Sequence, residues 1–381
     1  MLSESKSRVL VGEDQSEIQD ALELLLGSAG YTVDSVSSPD EILKFIGARQ
    51  YDLLLMDLNF RRDTTSGSEG LDVLSRLQGL ALSPAVVVMT AWGSVDLAVK
   101  AMHLGARDFI QKPWENSHLL HVVEKQIESR RQDQSVRLRR EREIQDAIEV
   151  QRRLLPAHLP EIPGIELAGG YWPAADVAGD YFDAIQFGGR IALCIADVIG
   201  KGMPAALMMS NLQAAVKVTA TEWIDPAELC RRVNTLTCKN GAPDHARFIS
   251  FFYGVYDPAT RNLAYANAGH SPPLLSGANG RNLKLECADA VLGLWPDWQF
   301  HNCEIALEPG DRLLLYTDGL AEASRDSDGV EEEFGEERLL AALGEDAVPT
   351  EAQKSSADAL LHHVVRRAAD HCHSKFTDDV T

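Results

Sequence analysis

Cationic residues are scarce in this chain: 36 Lys and Arg stand against 57 Asp and Glu, a formal net charge of −21 over 381 residues. That balance argues against sequence-independent binding to nucleic acid or to an anionic membrane, both of which need basic surfaces. The deficit is uneven. Residues 1–124 carry 10 basic and 18 acidic side chains, 125–155 carry 9 and 6, and 156–381 carry 17 and 33, so only the middle segment is basic. No apolar run approaches the ~20 residues of a membrane-spanning helix. The first residues, M-L-S-E-S-K-S, lack the apolar stretch of an export signal, so none is expected. Cysteine is sparse and unpatterned. Cys194, Cys230, Cys238, Cys287, Cys303 and Cys372 form no C-x-x-C pair, and they read as buried or idle thiols in a reducing cytoplasm. His371-Cys372-His373 has no second cluster with which to complete a soft-metal site.

What is present is 45% hydrophobic and 24% charged, enough chain for two ordinary globular domains. The second half is organised around Ala178 to Gly202, A-G-D-Y-F-D-A-I-Q-F-G-G-R-I-A-L-C-I-A-D-V-I-G-K-G. Two strands joined by a tight turn at Gly188-Gly189 bring the Asp180 and Asp183 end of one against Asp197 at the end of the other. A lone Asp at a strand end is ordinarily a solvated turn residue. Several together repel one another unless a hard cation with oxygen ligands sits among them. Further carboxylates follow after Leu313 to Tyr316, in Thr317-Asp318-Gly319, and at Asp378-Asp379-Val380-Thr381, with Asn267-Ala268-Gly269-His270 between.

With Pro173-Ala174-Ala175 these motifs, in this order from about Leu154 onward, resemble the bacterial metal-dependent serine/threonine phosphatases of the sporulation and stress-sigma-factor type, relatives of the PPM (PP2C-like) enzymes. The resemblance implies an α+β sandwich and two Mn²⁺ or Mg²⁺ ions. It implies that Asp197 bridges them with the Val198 carbonyl as a further ligand, that Asp180 joins one ion, and that Asp318 and Asp378 hold the other. Water activated between two metals would attack phosphorus in line. Asp183 is a weaker candidate, set further out. His270 is either a proton donor or, more commonly, a residue that holds its loop. Lys201 either attracts phosphate or is a plain surface lysine. Gly179, Gly200, Gly202 and Gly319 are expected where backbone turns sharply beside the ions. Two departures stand out: Ala178 occupies the first position of the usual G-G-D, and the family's chains ordinarily run past this point into a final strand, which leaves Asp378 expected to be loosely held.

The first segment alternates short apolar runs (Val9–Val11, Leu53–Met56, Ala85–Val88, Phe109–Ile110) with amphipathic stretches, the signature of a doubly wound parallel sheet. Such sheets bind ligands at the carboxyl ends of their strands. Those ends carry Glu13-Asp14, Asp57, Thr90 and Lys112-Pro113. Together they resemble a response-regulator receiver domain of the flavodoxin-like class. The resemblance implies one Mg²⁺ held by Glu13, Asp14, Asp57 and a carbonyl near Asn59. Asp57 would be the phosphoacceptor, with Thr90 and Lys112 bonding the phosphoryl oxygens and Phe109 reorienting on activation. The loop after Asp57, N-F-R-R-D-T-T-S-G-S-E-G-L, is several residues longer than usual, with two arginines that bear on how the phosphoryl group is approached or shed.

Between the two lies a stretch, Glu115 to Leu155, without Pro or Gly. A heptad seam runs Leu120, Ile127, Gln134, Glu141, Ile148, Leu155, with Val123, Arg130, Arg137, Ile144 and Gln151 as its second line. Its ends are apolar and its middle charged, which reads as a coiled coil weakened at the centre, or more plainly as a solvated spacer helix. The expected organisation is a receiver domain at 1–124, a helical coiled-coil linker at 125–155 and a phosphatase domain at 156–381.

The function implied is a two-component regulator whose receiver, phosphorylated by a sensor histidine kinase, controls a phosphatase. Its expected substrate is a phosphorylated anti-sigma-factor antagonist of the STAS type in a stress response, and the linker helix is expected to form a homodimer. The alternative is a silent adaptor that binds a partner without turnover, but an adaptor is free to lose metal acids that are all present here. A DNA-binding regulator is disfavoured by the acidic second half and by the absence of a helix-turn-helix pattern.

Overall fold

The computed structural model describes residues 6–60, 67–78, 83–90, 95–174, 176–221, 224–240, 248–327, 330–345 and 356–381. Arg61 and Arg62 of the long loop, and Ala175 of the P-A-A motif, lie outside these. The chain divides into two compact units, residues 1–142 and 143–381.

In the first unit β1 (Arg8–Gly12), β2 (Thr32–Val36), β3 (Leu53–Asp57), β4 (Ala85–Thr90) and β5 (Asp108–Gln111) alternate with α1 (Ser16–Ser28), α2 (Pro39–Ala48), α3 (Ser68–Leu77), α4 (Val95–His103) and the first part of α5 (Asn116–Leu154). All strand pairs are parallel, in the order β2-β1-β3-β4-β5. Helices on both faces bury the central strands, so β3 and β4 are apolar at nearly every position rather than alternating. Each carries its one polar residue, Asp57 or Thr90, at its carboxyl end. The doubly wound reading of this segment is the fold observed.

The second unit has four layers. Its larger sheet, order β12-β9-β8-β7-β6, is built from β6 (Tyr181–Phe187), β7 (Arg190–Val198), β8 (Ile249–Asp257), β9 (Asn262–Ala268) and β12 (Cys303–Ala306). The smaller sheet is β11 (Asn282–Lys284), β10 (Leu274–Ser276) and β13 (Arg312–Leu314). Helices α6 (Met203–Thr219) and α7 (Pro226–Asn240) cover the larger sheet, where Ala192, Cys194, Ala196, Phe251 and Tyr253 meet Met209, Leu212 and Val233. Residues of opposite parity, Ile195 and Phe252, turn the other way and pack with Leu313 and Leu315 between the sheets. Beyond the smaller sheet lie α8 (Asp318–Ala321), the β14 (Ser324–Ser327) and β15 (Val330–Glu333) hairpin, α9 (Gly335–Gly344) and α10 (Ser356–His371).

Helix α5 is 39 residues long, as the absence of Gly and Pro implies. Its seam is put to a different use from the one expected. Val123 and Ile127 are buried in the receiver core with Val9, Leu55 and Val87, and Leu154 and Leu155 pack on the core of the second unit. Apolar positions at both ends are therefore used within a unit, while Ile144 and Ile148 are half-buried and residues 131–143 are exposed. The cysteine reading is corrected too: Cys287 and Cys303 form a disulfide, while Cys194, Cys230, Cys238 and Cys372 are free. The pair stands 16 positions apart in sequence, and only the path of the chain from β11 into β12 brings the sulfurs together.

Candidate active site and receiver site

Hairpin register decides which acids of the second unit meet. Tyr181 pairs with Ala196 and Asp183 with Cys194. One step beyond, Asp180 comes opposite Asp197, on the face shared by Phe182 and Ile195. Asp183 has the other parity. It faces the helix layer, where its carboxylate takes the Lys217 ammonium at 2.6 Å and the Tyr181 hydroxyl at 2.9 Å. The sequence grouped Asp180 with Asp183; the pleat separates them.

The remaining acids arrive from two loops. The Thr317 hydroxyl donates to Asp180 at 2.8 Å, which fixes the T-D-G turn and hence Asp318, the first residue of α8. Val380 pairs with Trp172 through two backbone hydrogen bonds, and the Thr381 N–H donates to the Thr317 hydroxyl at 3.0 Å. This segment holds Asp378 and Asp379 beside the T-D-G turn, with Asp378 carried by a chain that is fixed at Asp379, Val380 and Thr381. Gly319 is required there by close approach: a Cβ would meet the Asp379 carbonyl oxygen at 2.1 Å. At Gly179 a Cβ would meet the Val198 carbonyl oxygen at 2.9 Å. Sharp turning, the expected reason, applies instead to Gly200 and Gly202, whose φ angles are positive.

Asp379 was not among the expected site residues. Its carboxylate accepts the Ala174 N–H at 2.8 Å and the Gly179 N–H at 3.2 Å, holding the P-A loop and the A-G-D loop together. The D-D doublet was the available signal. Lys201 sits at the rim, its ammonium 2.9 Å from Asp378 and 2.9 Å from the Thr377 carbonyl. His270 is buried. Its N–H donates to the Asn267 side chain, which donates back to the His270 carbonyl, and its Nδ1 lies 2.8 Å from the Ser250 hydroxyl. Burial pushes its pKa down to about 4, which leaves the ring neutral near pH 7 and matches the loop-holding reading.

The electrostatics of the cluster are those of too many carboxylates in too little water. Asp197 is pushed up to about 7, first by burial and then by Asp318, Asp378 and Asp379. Asp180 is raised by burial and by Asp197, Asp318 by burial and by Asp378, and Asp379 by burial with Asp378 adding to it. A convergent set of hard oxygen donors, with the charged forms of Asp180, Asp197, Asp318 and Asp379 disfavoured without a counter-charge, fits a divalent cation.

In the receiver unit Glu13, Asp14 and Asp57 offer carboxylate oxygens within 4.8 Å of one another, a second set that fits a hard cation. Lys112 places its ammonium 2.6 Å from both Glu13 and Asp57. The Asn59 N–H donates to Asp57 at 3.1 Å, and the Asn59 side chain accepts the Gly67 N–H, closing the loop on the site. Thr90 is buried at the end of β4, its carbonyl accepting the Lys112 N–H at 2.8 Å. Phe109 points outward from β5 and is 43% exposed. The structure thus gathers Glu13, Asp14, Asp57, Asn59, Thr90 and Lys112 at one end of the sheet.

Residues 188–381 match the family model described as stage II sporulation protein E (SpoIIE). The chain belongs to the SpoIIE family. Residues 9–124 match the response regulator receiver domain model. Within the SpoIIE segment the chain is similar to phosphoserine phosphatase RsbU of Bacillus subtilis (strain 168), 33% identical over 181 residues, which are 47% of this chain and 53% of RsbU. The receiver segment is similar to transcriptional regulatory protein DltR of Streptococcus agalactiae, 35% identical over 113 residues, 30% of this chain and 48% of DltR. Among solved structures the SiaA-PP2C domain of Pseudomonas aeruginosa shares the fold, with a TM-score of 0.53 at 22% identity over 64% of this chain and 96% of that one. The chain spans about half the length, or less, of the curated relatives it matches. No helix among the described residues is long and apolar enough to cross a membrane.

Proposed function

We propose that the chain is a metal-dependent protein serine/threonine phosphatase under receiver control. Its substrate is a phosphoserine or phosphothreonine protein of the anti-sigma-factor-antagonist class, and it acts in the cytoplasm. The observation that carries the reading is the convergence of Asp180 and Asp197 from one hairpin with Asp318 and Asp378 from two distant loops. These four acids and the Val198 carbonyl are the groups that would hold Mn²⁺ or Mg²⁺, two ions by family resemblance. The bound ions supply a water acidic enough to lose its proton near neutral pH and a counter-charge for the phosphoryl oxygens.

The chain's own residues do the rest. Thr317 orients Asp180 through its hydroxyl, and Asp379 fixes the backbone of Gly179 in front of it. Asp183, neutralised by Lys217, supports the hairpin from the helix side. Lys201 brings a positive charge to the rim of an otherwise acidic centre and faces an approaching phosphoryl group once Asp378 is engaged elsewhere.

In the receiver, Asp57 is the proposed phosphoacceptor, and the carboxylates beside it would hold Mg²⁺. Lys112, bridging Glu13 and Asp57, is placed to follow charge arriving on Asp57, and Thr90 and Phe109 complete the proposed switch. A sensor histidine kinase is the proposed phosphoryl source, and pairing of two copies along the exposed middle of α5 the proposed assembly. The deciding experiment is hydrolysis of a phosphoserine peptide with Mn²⁺ by wild type and Asp197→Asn, each with and without a small-molecule phosphoryl donor. Turnover lost in Asp197→Asn is the expected result. Equal turnover in both, or none in either, would sink the reading.

A further inference from the structure

Residues 288–302 run between the two sulfurs of the Cys287–Cys303 disulfide, and this loop braces the N-A-G-H turn. The Asp289 N–H donates to the Asn267 carbonyl at 2.7 Å, and Val291 packs so close that a Cβ on Gly269 would lie 2.5 Å from it. Leu292 exchanges two backbone hydrogen bonds with Ile249, the neighbour of Ser250. The Ser250 hydroxyl lies 2.8 Å from His270 Nδ1 and 3.5 Å from the Asp197 carbonyl oxygen. The far end of the loop returns to its beginning: the Asp289 carboxylate accepts the His301 N–H at 2.8 Å and the Trp298 indole N–H at 3.3 Å. The disulfide spans the same two ends, so its reduction leaves them joined by non-covalent contacts alone.

The other thiols are poor competitors for an oxidant. Cys194, Cys230 and Cys372 are buried, and burial pushes the thiols of Cys194, Cys230 and Cys238 up, away from the reactive thiolate. Cys287 and Cys303 are half-buried at the edge of the core between the sheets, where a small oxidant reaches them. We propose that Cys287 and Cys303 are a reversible thiol-oxidation site that reacts with hydrogen peroxide and sets how firmly the 288–302 loop holds the N-A-G-H turn. One thiolate attacks a peroxide oxygen and becomes a sulfenic acid, releasing water. The second thiol sulfur attacks the sulfenic sulfur, expels a second water and leaves the S–S bond. Two electrons pass from sulfur to the peroxide, and a dithiol reductant returns them with two protons. The site stands whether or not the acidic centre hydrolyses phosphoproteins.

The test uses the full chain, reduced in its folded state with dithiothreitol and then treated with hydrogen peroxide. Thiols are counted and mapped by alkylation after unfolding. Amide exchange is followed at Asp289 and Leu292, whose N–H groups donate to Asn267 and Ile249. The reduced chain should alkylate at all six cysteines and the peroxide-treated chain at four, with Cys287 and Cys303 protected. Reduction should speed exchange at both amides about 10-fold or more. It should also lower the second unit's thermal midpoint by about 5–10 °C, because the closed loop constrains the unfolded chain. Cys303→Ser should exchange fast with or without peroxide, which separates this pair from oxidation elsewhere. If Cys303→Ser does not fold, the two redox states of the unsubstituted chain still decide. A disulfide that dithiothreitol cannot open in the folded chain overturns the proposal. So do six free thiols after peroxide, or exchange within about 2-fold between the two states.

Discussion

At the scale of single residues, the site is made by neighbours that leave no room for alternatives. Gly319 is the sharpest case. A methyl group there overlaps the Asp379 carbonyl, so Gly319→Ala must push the D-D-V segment away from the T-D-G turn. We expect a loss of about 1–3 kcal/mol in urea unfolding, together with weakened Mn²⁺ binding. Unchanged stability would show that the segment has slack. His270 gives a pH signature. Its folded pKa of about 4 lies below the ordinary 6.5, so its neutral burial contributes fully above 6.5 and is lost as pH falls toward 4. The difference between wild type and His270→Gln should change by about 3 kcal/mol across that interval, wild type losing more on acidification. A difference that is flat with pH would mean the ring is not buried neutral.

Elements carry a second kind of information, which is where each face of a periodic segment is spent. In α5 the heptad places Ile127 and Ile148 at equivalent positions, yet Ile127 is 4% exposed inside the receiver core. Cysteine at Ile127 should therefore resist crosslinking between copies, and Ile127→Ala should cost the receiver about 2–5 kcal/mol by thermal unfolding. Leu138 lies in the exposed middle, 45% accessible. Leu138→Cys should form interchain disulfides on mild oxidation if two copies pair along α5, and monomer on a non-reducing gel would rule that pairing out. Charge fills this part of the helix, so any pairing there is weak and adjustable rather than permanent.

At the scale of the whole molecule, two compact units with two separate acidic sites should respond separately to their ligands. Adding Mn²⁺ at about 100 times its Kd contributes about 2.7 kcal/mol to the unit that binds it. For a unit of this size that is a rise of about 5–10 °C in Tm. Calorimetry in EDTA and then in Mn²⁺ should raise the second unit's transition, and Asp197→Asn should abolish that rise while leaving the first unit's transition in place. A rise that survives Asp197→Asn would place the cation elsewhere.

Much of this was legible in the residues. Strand-helix alternation and the polar residues closing Val- and Leu-rich runs gave the parallel sheet and its ligand end, because such runs have no polar positions to spare. The ordered acid motifs gave the second fold and the four acids at its centre, and the lack of Gly and Pro gave a continuous α5. Pattern alone did not give the assignment of faces. Asp183 and Asp180 are three apart, and only β6–β7 register shows that the pleat sends them to opposite layers. Asp379 and Gln151 act through backbone groups, and Thr317 through the Asp180 carboxylate, all distant in sequence, and Cys287 finds Cys303 across a loop. A sequence records periodicity and chemical type along one dimension. Which distant backbone a side chain satisfies is set by the packing of layers, and that is decided only when the chain has closed on itself.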